Sequence, residues 1–310
     1  MFRPPLWRAL ANPYLLLTLT TLFWGANVVV GRAVTGAEMP PVALSFWRWA
    51  LAAAILLPFA GPSLWRQRDL VFKHWPILLV LSVTGVAIFN TLLYLALTMT
   101  TAVNASLIQG FLPALTVLVS WILLRQGTTL RGIAGMAVSM VGVVVVISRG
   151  DVAALFGLGA NLGDLLMLPA MAAWALYNVL LRFRPTGLDP FAFILLTFLV
   201  GLVFVGGAYA IELAAGKTFA LNGATGGAIA YVALFPAVLA YIFWNRGVQA
   251  VGANAASQFH YLMPLWGSLL AVIFLGEAFR LFHLAGIVLI FGGVYLATST
   301  RRANRPAPGA

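Results

Sequence analysis

Asn254, Ser257, Gln258, Tyr261 and Ser268 recur at i, i+3, i+4 and i+7 spacings, so a helix over 253–275 would carry all five on one stripe. An unsatisfied polar group costs several kcal/mol in hydrocarbon. Such a stripe must face protein or water. Comparable stripes recur elsewhere: Ser106, Gln109, Thr116 and Ser120; Thr20, Trp24, Asn27 and Gly31; Thr84, Thr91, Tyr94 and Thr98; Asp164, Met171, Asn178 and Arg182 beside Trp174; and Tyr231, Tyr241 and Asn245. Amides, hydroxyls and aromatic rings converging from six helices would line a pocket for a small ligand. Rings would hold its apolar part and amides its polar end. Candidate ligand-binding residues are therefore Trp24, Asn27, Tyr94, Gln109, Trp174, Asn178, Tyr241, Asn245, Gln258, His260 and Tyr261.

Ionisable residues are costly inside a bilayer and are functional candidates by default. His260 falls mid-helix, and its ordinary titration range suits proton coupling, although a lone histidine is more often a satisfied packing group than a proton carrier. Arg48 lies about 10 Å along its helix from Pro41, flanked by Trp47 and Trp49. It would either snorkel to the interface or pair with Glu38, Glu212 or Glu277. Glu277, near a helix end, is the candidate coupling partner, with capping or gating as simpler roles. Pro113 and Pro264 are candidate hinges, each expected to break a helical hydrogen bond in mid-span.

Several chemistries are excluded. Gly216-Lys217-Thr218 resembles part of a phosphate loop, but the first glycine of that pattern would fall at Ile211. His74, His260 and His283 are too scattered for zinc, no Ser/His/Asp spacing suggests hydrolysis, and the chain contains no cysteine. No metal, cofactor or catalytic residue is expected, and the chain reads as a non-enzyme.

The elements positioning these residues follow from composition. The 310 residues are 62% hydrophobic and 8% charged, far from the roughly 25% charged residues of a soluble domain. The chain must expose apolar surface to lipid. The net charge of +11 does not indicate nucleic acid, because the basic residues punctuate apolar runs instead of forming a patch. An all-α integral membrane protein is predicted, with ten transmembrane helices near 13–33, 41–60, 75–98, 103–124, 130–148, 162–182, 189–211, 225–245, 253–275 and 281–299. The N-terminal run, though preceded by Arg3 and Arg8, reads as an uncleaved first span. A cytoplasmic N-terminus leaves only Arg32, Arg149, Lys217 and Arg280 among the loop cations outside, against thirteen within. Both termini are then cytoplasmic, in a bacterial-type inner membrane.

An offset of 151 residues aligns 102–143 with the later chain at 12 of 42 positions, including Ser106/Ser257, Pro113/Pro264, Gly135/Gly286 and Gly142/Gly293. Matched glycines and prolines at one offset imply a duplicated backbone. The halves are 1–150 and 151–300, followed by a cytoplasmic tail at 301–310. Five helices per half force the second to enter the membrane inverted, an arrangement associated with secondary transporters. The helices over 130–148 and 281–299, nearly all aliphatic with glycines, suit packing at the bundle edge or a homodimer contact.

The Trp24-Gly25-Ala26-Asn27 segment, Arg48, and the run from Pro264 through Leu275-Gly276-Glu277 to Gly286 and Gly293 resemble the EamA-type branch of the drug/metabolite transporter superfamily along essentially the whole chain. The general look is most similar to the YddG-like exporters of aromatic and other neutral amino acids. The resemblance implies export of amino acids or other small metabolites by alternating access, with a small-molecule substrate and no nucleic-acid partner. Export of other drugs or metabolites, and passive channel-like passage, are the alternatives. The first half departs from the pattern in carrying Gln126 where the second has Glu277.

Overall fold

A computed structural model describes residues 12–35, 38–125, 130–148, 150–151, 161–251 and 258–298. Among these the chain is helical, with one isolated backbone bridge between Thr35 and Met39. The helices are α1 (Pro13–Val34), α2 (Pro41–Arg66), a short α3 (Arg68–Lys73), α4 (Trp75–Leu97), α5 (Ala102–Gln109), α6 (Leu112–Leu124), α7 (Leu130–Ile147), α8 (Leu162–Phe183), α9 (Pro190–Ala214), α10 (Gly223–Gly247), α11 (Leu262–Leu275) and α12 (Leu281–Thr298). Six of them, α1, α2, α4, α8, α9 and α10, are long and apolar enough to cross a membrane; α5 and α6 form a seventh only as a pair bent by 46°. Helices α7, α11 and α12 are apolar but shorter. Length alone therefore does not reach the ten predicted passes. The expected connection over 61–74 is mostly helical, because α2 continues to Arg66 and α3 follows directly.

Local sequence sets the helix ends. Pro13, Pro41 and Pro190 occupy the first helical position, where a missing N–H costs nothing. Asn12 and Asp189 accept backbone N–H groups of the first turns of α1 and α9, and Asn222 with Thr225 forms a reciprocal cap on α10. Large apolar side chains such as Phe59, Phe72, Val203 and Phe274 point outward, as a lipid-facing exterior requires.

The 151-residue offset reappears in the backbone. Helix α4 contains a π-helical segment at Val83–Ile88 and α10 contains one at Leu234–Leu239, each bound shifted by 151. Likewise α6 ends on Arg125 and α11 on Gly276, both left-handed, at φ 49° and 64°. The matched glycines of α7 and α12 meet one another. A Cβ on Gly142 would strike the Ile290 backbone N at 2.8 Å, and one on Gly293 would strike the Gly135 carbonyl. Those glycines let the last helices of the two halves pack face to face.

The hinge prolines differ from expectation. Pro113 is the second residue of α6, after the break at Gly110–Phe111, and Pro264 is the third residue of α11, after a 3₁₀ turn at Gln258–Tyr261. The first four N–H groups of a helix have no intrahelical acceptor. Neither proline breaks a mid-helix bond; each begins a helix. The side chain of Pro113 lies outside the described residues, as do Asn254, Ser257 and the side chain of Gln258.

Candidate functional site

Residues of both halves line a cavity bounded by α1, α2, α4, α5, α6, α8, α10 and the start of α11. Six of the eleven predicted binding residues line it: Trp24, Asn27, Gln109, Trp174, Tyr241 and His260. Several lining pairs are related by the repeat offset, namely Asn90 with Tyr241, Gln109 with His260, and Leu112 with Met263.

Aromatic rings form two clusters that reach the cavity. In the first Trp24 lies 5.5 Å from Trp244 and 5.6 Å from His260, while Trp244 meets the His260 ring edge-on at 4.4 Å. In the second Trp174 is stacked on Tyr177 at 4.9 Å and packed against Phe89 at 4.7 Å. Such rings supply rigid apolar area with little rotamer entropy to lose.

The π-segments contribute directly. A π-turn displaces the regular i→i−4 ladder and is frequent at functional sites. The Pro236 carbonyl accepts the Trp24 indole N–H at 3.0 Å, and the equivalent Gly85 carbonyl accepts the Asn90 amide at 3.5 Å. Gly85 is also needed sterically, since a Cβ there would overlap the Tyr177 ring. Gly25 permits a similar approach of α11 to α1: its Cβ would fall 2.9 Å from the Gly267 backbone N and 3.0 Å from the Met263 carbonyl.

Arg48 is buried beside the cavity and neither snorkels nor pairs with a carboxylate. Its Nη1 donates to Asn27 Oδ1 at 3.1 Å, Asn90 Oδ1 at 2.8 Å and Tyr94 Oη at 2.8 Å, and Tyr94 Oη donates to Asn27 Oδ1 at 2.7 Å. Tyr94 thus lies behind the cavity wall as a support for Arg48.

Glu277 takes the capping role that its place near a helix end suggested, on α5, and not the ionic one. Its two oxygens accept the Ala102 and Val103 N–H groups, each at 2.8 Å. Glu212 at the end of α9 does the same for α2, accepting Ala43 N–H at 2.8 Å and Val42 N–H at 3.4 Å. A carboxylate at a helix N-terminus meets both the unpaired donors and the positive end of the dipole. Both caps join one half to the other at one end of the bundle. At that same end Asp164 accepts from Thr100 and Asn104, His283 Nε2 and Asn104 Oδ1 are 3.0 Å apart, and Arg32 donates to the Leu97 carbonyl at 2.6 Å. Polar contacts between helices thus cluster at that end.

Other predicted residues fall elsewhere. Asn178 and Asn245 each donate to a carbonyl one turn back, Trp174 and Tyr241 respectively, and Asn245 borders a smaller depression beside Arg246. Tyr261 packs edge-on with Phe291 at 6.0 Å. Asn90 was missed. The π-segment shifts the face of α4, so a stripe extrapolated from Thr84 passes over it, but its position one turn before Tyr94 would have placed it beside that residue.

Two stretches, residues 12–148 and 161–299, match the EamA-like transporter family. The chain is 30% identical over 295 residues to the uncharacterized transporter YyaM of Bacillus subtilis, covering 94% of this chain and 95% of that protein. It is 27% identical to a probable terminal-alkyne amino-acid exporter of Streptantibioticus cattleyicolor, over 94% of this chain and 96% of that one. A crystal structure at 19% identity superposes with a TM-score of 0.62 over 94% of this chain and 98% of its own, a likeness of fold. With two matched domains covering nearly the whole sequence, the chain belongs to the EamA-like transporter family, a family of membrane transporters.

Proposed function

We propose that the protein is a secondary carrier that exports small metabolites, amino acids including aromatic ones foremost, by alternating access. In this reading ten helices cross a bacterial-type inner membrane with both termini cytoplasmic. The passes are the six long helices, the bent α5–α6 pair, and the shorter α7, α11 and α12. The halves insert oppositely, as five passes each require. The observation that carries the proposal is the cavity between the halves, lined by aromatic clusters and amides and flanked by one buried cation. The printed description of the Streptantibioticus relative supports the substrate class. Helix breaks before α6 and α11 give two matched places to bend.

Counterflow of radiolabelled amino acids into proteoliposomes, with and without internal substrate and a pH gradient, tests the carrier. Saturable flux accelerated by internal substrate is expected, whereas non-saturating conductance in planar bilayers would establish a channel. Absence of flux for every amino acid would remove that substrate class. A reporter active only in the periplasm should be silent when fused after Arg302 and active near Gly157; the reverse pattern would overturn the orientation.

A further inference from the structure

Arg48 is a cation without an anion. The chain has seven carboxylates, at Glu38, Asp69, Asp151, Asp164, Asp189, Glu212 and Glu277, and all lie among the described residues. The single salt bridge among those residues joins Arg68 to Asp69. Arg48 is 3% exposed and held by neutral groups alone, Asn27, Asn90 and Tyr94, all of which bind Nη1. Its Nε is buried with no hydrogen-bond partner. A buried charge of this kind is strongly unfavourable unless something pairs with it.

The fork is therefore used at one corner only. A guanidinium binds a carboxylate through two parallel N–H groups, and Nε with Nη2 forms such an edge on the side away from Nη1. The Trp49 ring lies 4.6 Å from the guanidinium carbon, a cation–π contact that supplies no counter-charge. The helix starts Pro41 and Pro190 pair Arg48 with Thr197, and the 151-residue offset pairs it with Leu199, so on either register the cation has no counterpart in the second half. The substrate's anionic end is thereby fixed toward the first half, while Trp24, Trp174 and Phe89 remain for an apolar part.

We infer that Arg48 is the counter-ion of a substrate carboxylate, and that the cavity takes organic monocarboxylates whose apolar portion packs against the aromatic clusters. This deepens the carrier reading and rests on it for the word substrate, but the site is testable by binding alone.

The test measures equilibrium binding of radiolabelled L-phenylalanine and hydrocinnamate to the purified protein, with phenethylamine and L-phenylalaninamide as competitors. The two carboxylates should bind, and the amine and amide should compete at least tenfold more weakly. Arg48→Gln should weaken carboxylate binding at least thirtyfold, and Arg48→Lys should retain part of it. Asn90→Asp guards against a folding artefact, because it places an internal carboxylate beside Nη1. It should raise the melting temperature while weakening both carboxylates at least tenfold. Equal binding of the amide, absence of carboxylate binding, or binding within threefold of the parent in Arg48→Gln and Asn90→Asp would each overturn the inference. Hydrocinnamate binding without phenylalanine binding would uphold the anion site and reject the amino-acid reading. Phenylalanine flux unchanged in Arg48→Gln would uphold the carrier and reject the site.

Discussion

Replacing Glu277 by Gln keeps the shape of the α5 cap and removes its charge. The carboxylate accepts two N–H groups at 2.8 Å, and an amide keeps one acceptor while turning an NH₂ toward the second donor. Hydrogen bonds to charged groups contribute about 1.5–3 kcal/mol each, and a charge at a helix N-terminus contributes roughly 0.3–1 kcal/mol more. Glu277 is half-buried, so water replaces part of what is lost, and a net cost of about 1–2 kcal/mol remains. The cap joins α5 of one half to the end of α11 of the other, so this cost falls on the state in which that end is closed. At about tenfold per 1.4 kcal/mol, the open population should rise roughly fivefold to thirtyfold. The chain has no cysteine, so Gln109→Cys introduces a single reporter in the cavity wall. A membrane-impermeant maleimide applied from the capped face should label it fivefold to thirtyfold faster when Glu277→Gln is added. Unchanged labelling, or equal acceleration from the opposite face, would refute a role of the cap in holding that end shut.

Glu212→Gln should act in the same direction but more weakly, since only one of its two bonds is short, and the two substitutions should add in the same labelling assay because they share no partner. Arg125→Gly should raise the melting temperature in detergent, by relieving about 1 kcal/mol at a left-handed position that the second half fills with Gly276. Gly25→Val should lower it by an equivalent of about 1–3 kcal/mol and depress flux, because the backbone of Gly267 and Met263 has no rotamer with which to yield.

Sequence patterning reaches far into this molecule where the physics is local. Apolar runs and their bounding charges locate the long helices, because a bilayer imposes length and polarity together. The 151-residue offset, read from a few glycines and prolines, anticipates the packing of α7 on α12, where those glycines meet. Stripes of amides and aromatics bring six residues to the cavity. The failures are equally specific. Helical spacing assumes a constant turn, and the π-segment at Val83–Ile88 shifts the phase of α4, hiding Asn90. The N–H donors that a carboxylate reaches 175 residues away are invisible to any window, so capping is legible as a role for Glu277 but its target, α5, is not. Pro113 looks interior because nothing in its neighbours announces the break at Gly110–Phe111. Arg48 is legible as an intramembrane charge, but its neutral company depends on three side chains from two other helices.

The paired π-segments also record a history. A π-turn holds one more residue than the α-turn it replaces, and two independent insertions would have no reason to fall 151 residues apart with identical lengths. The extra residue therefore predates the doubling of the chain. Its sequence has since drifted, with Gly85 in one copy and Pro236 in the other, yet in both the same carbonyl still receives a side chain from the cavity wall. An ancestor half as long, working as two copies, would already have owned that carbonyl twice. Arg48, matched by no cation in the second half, is then a difference between the copies.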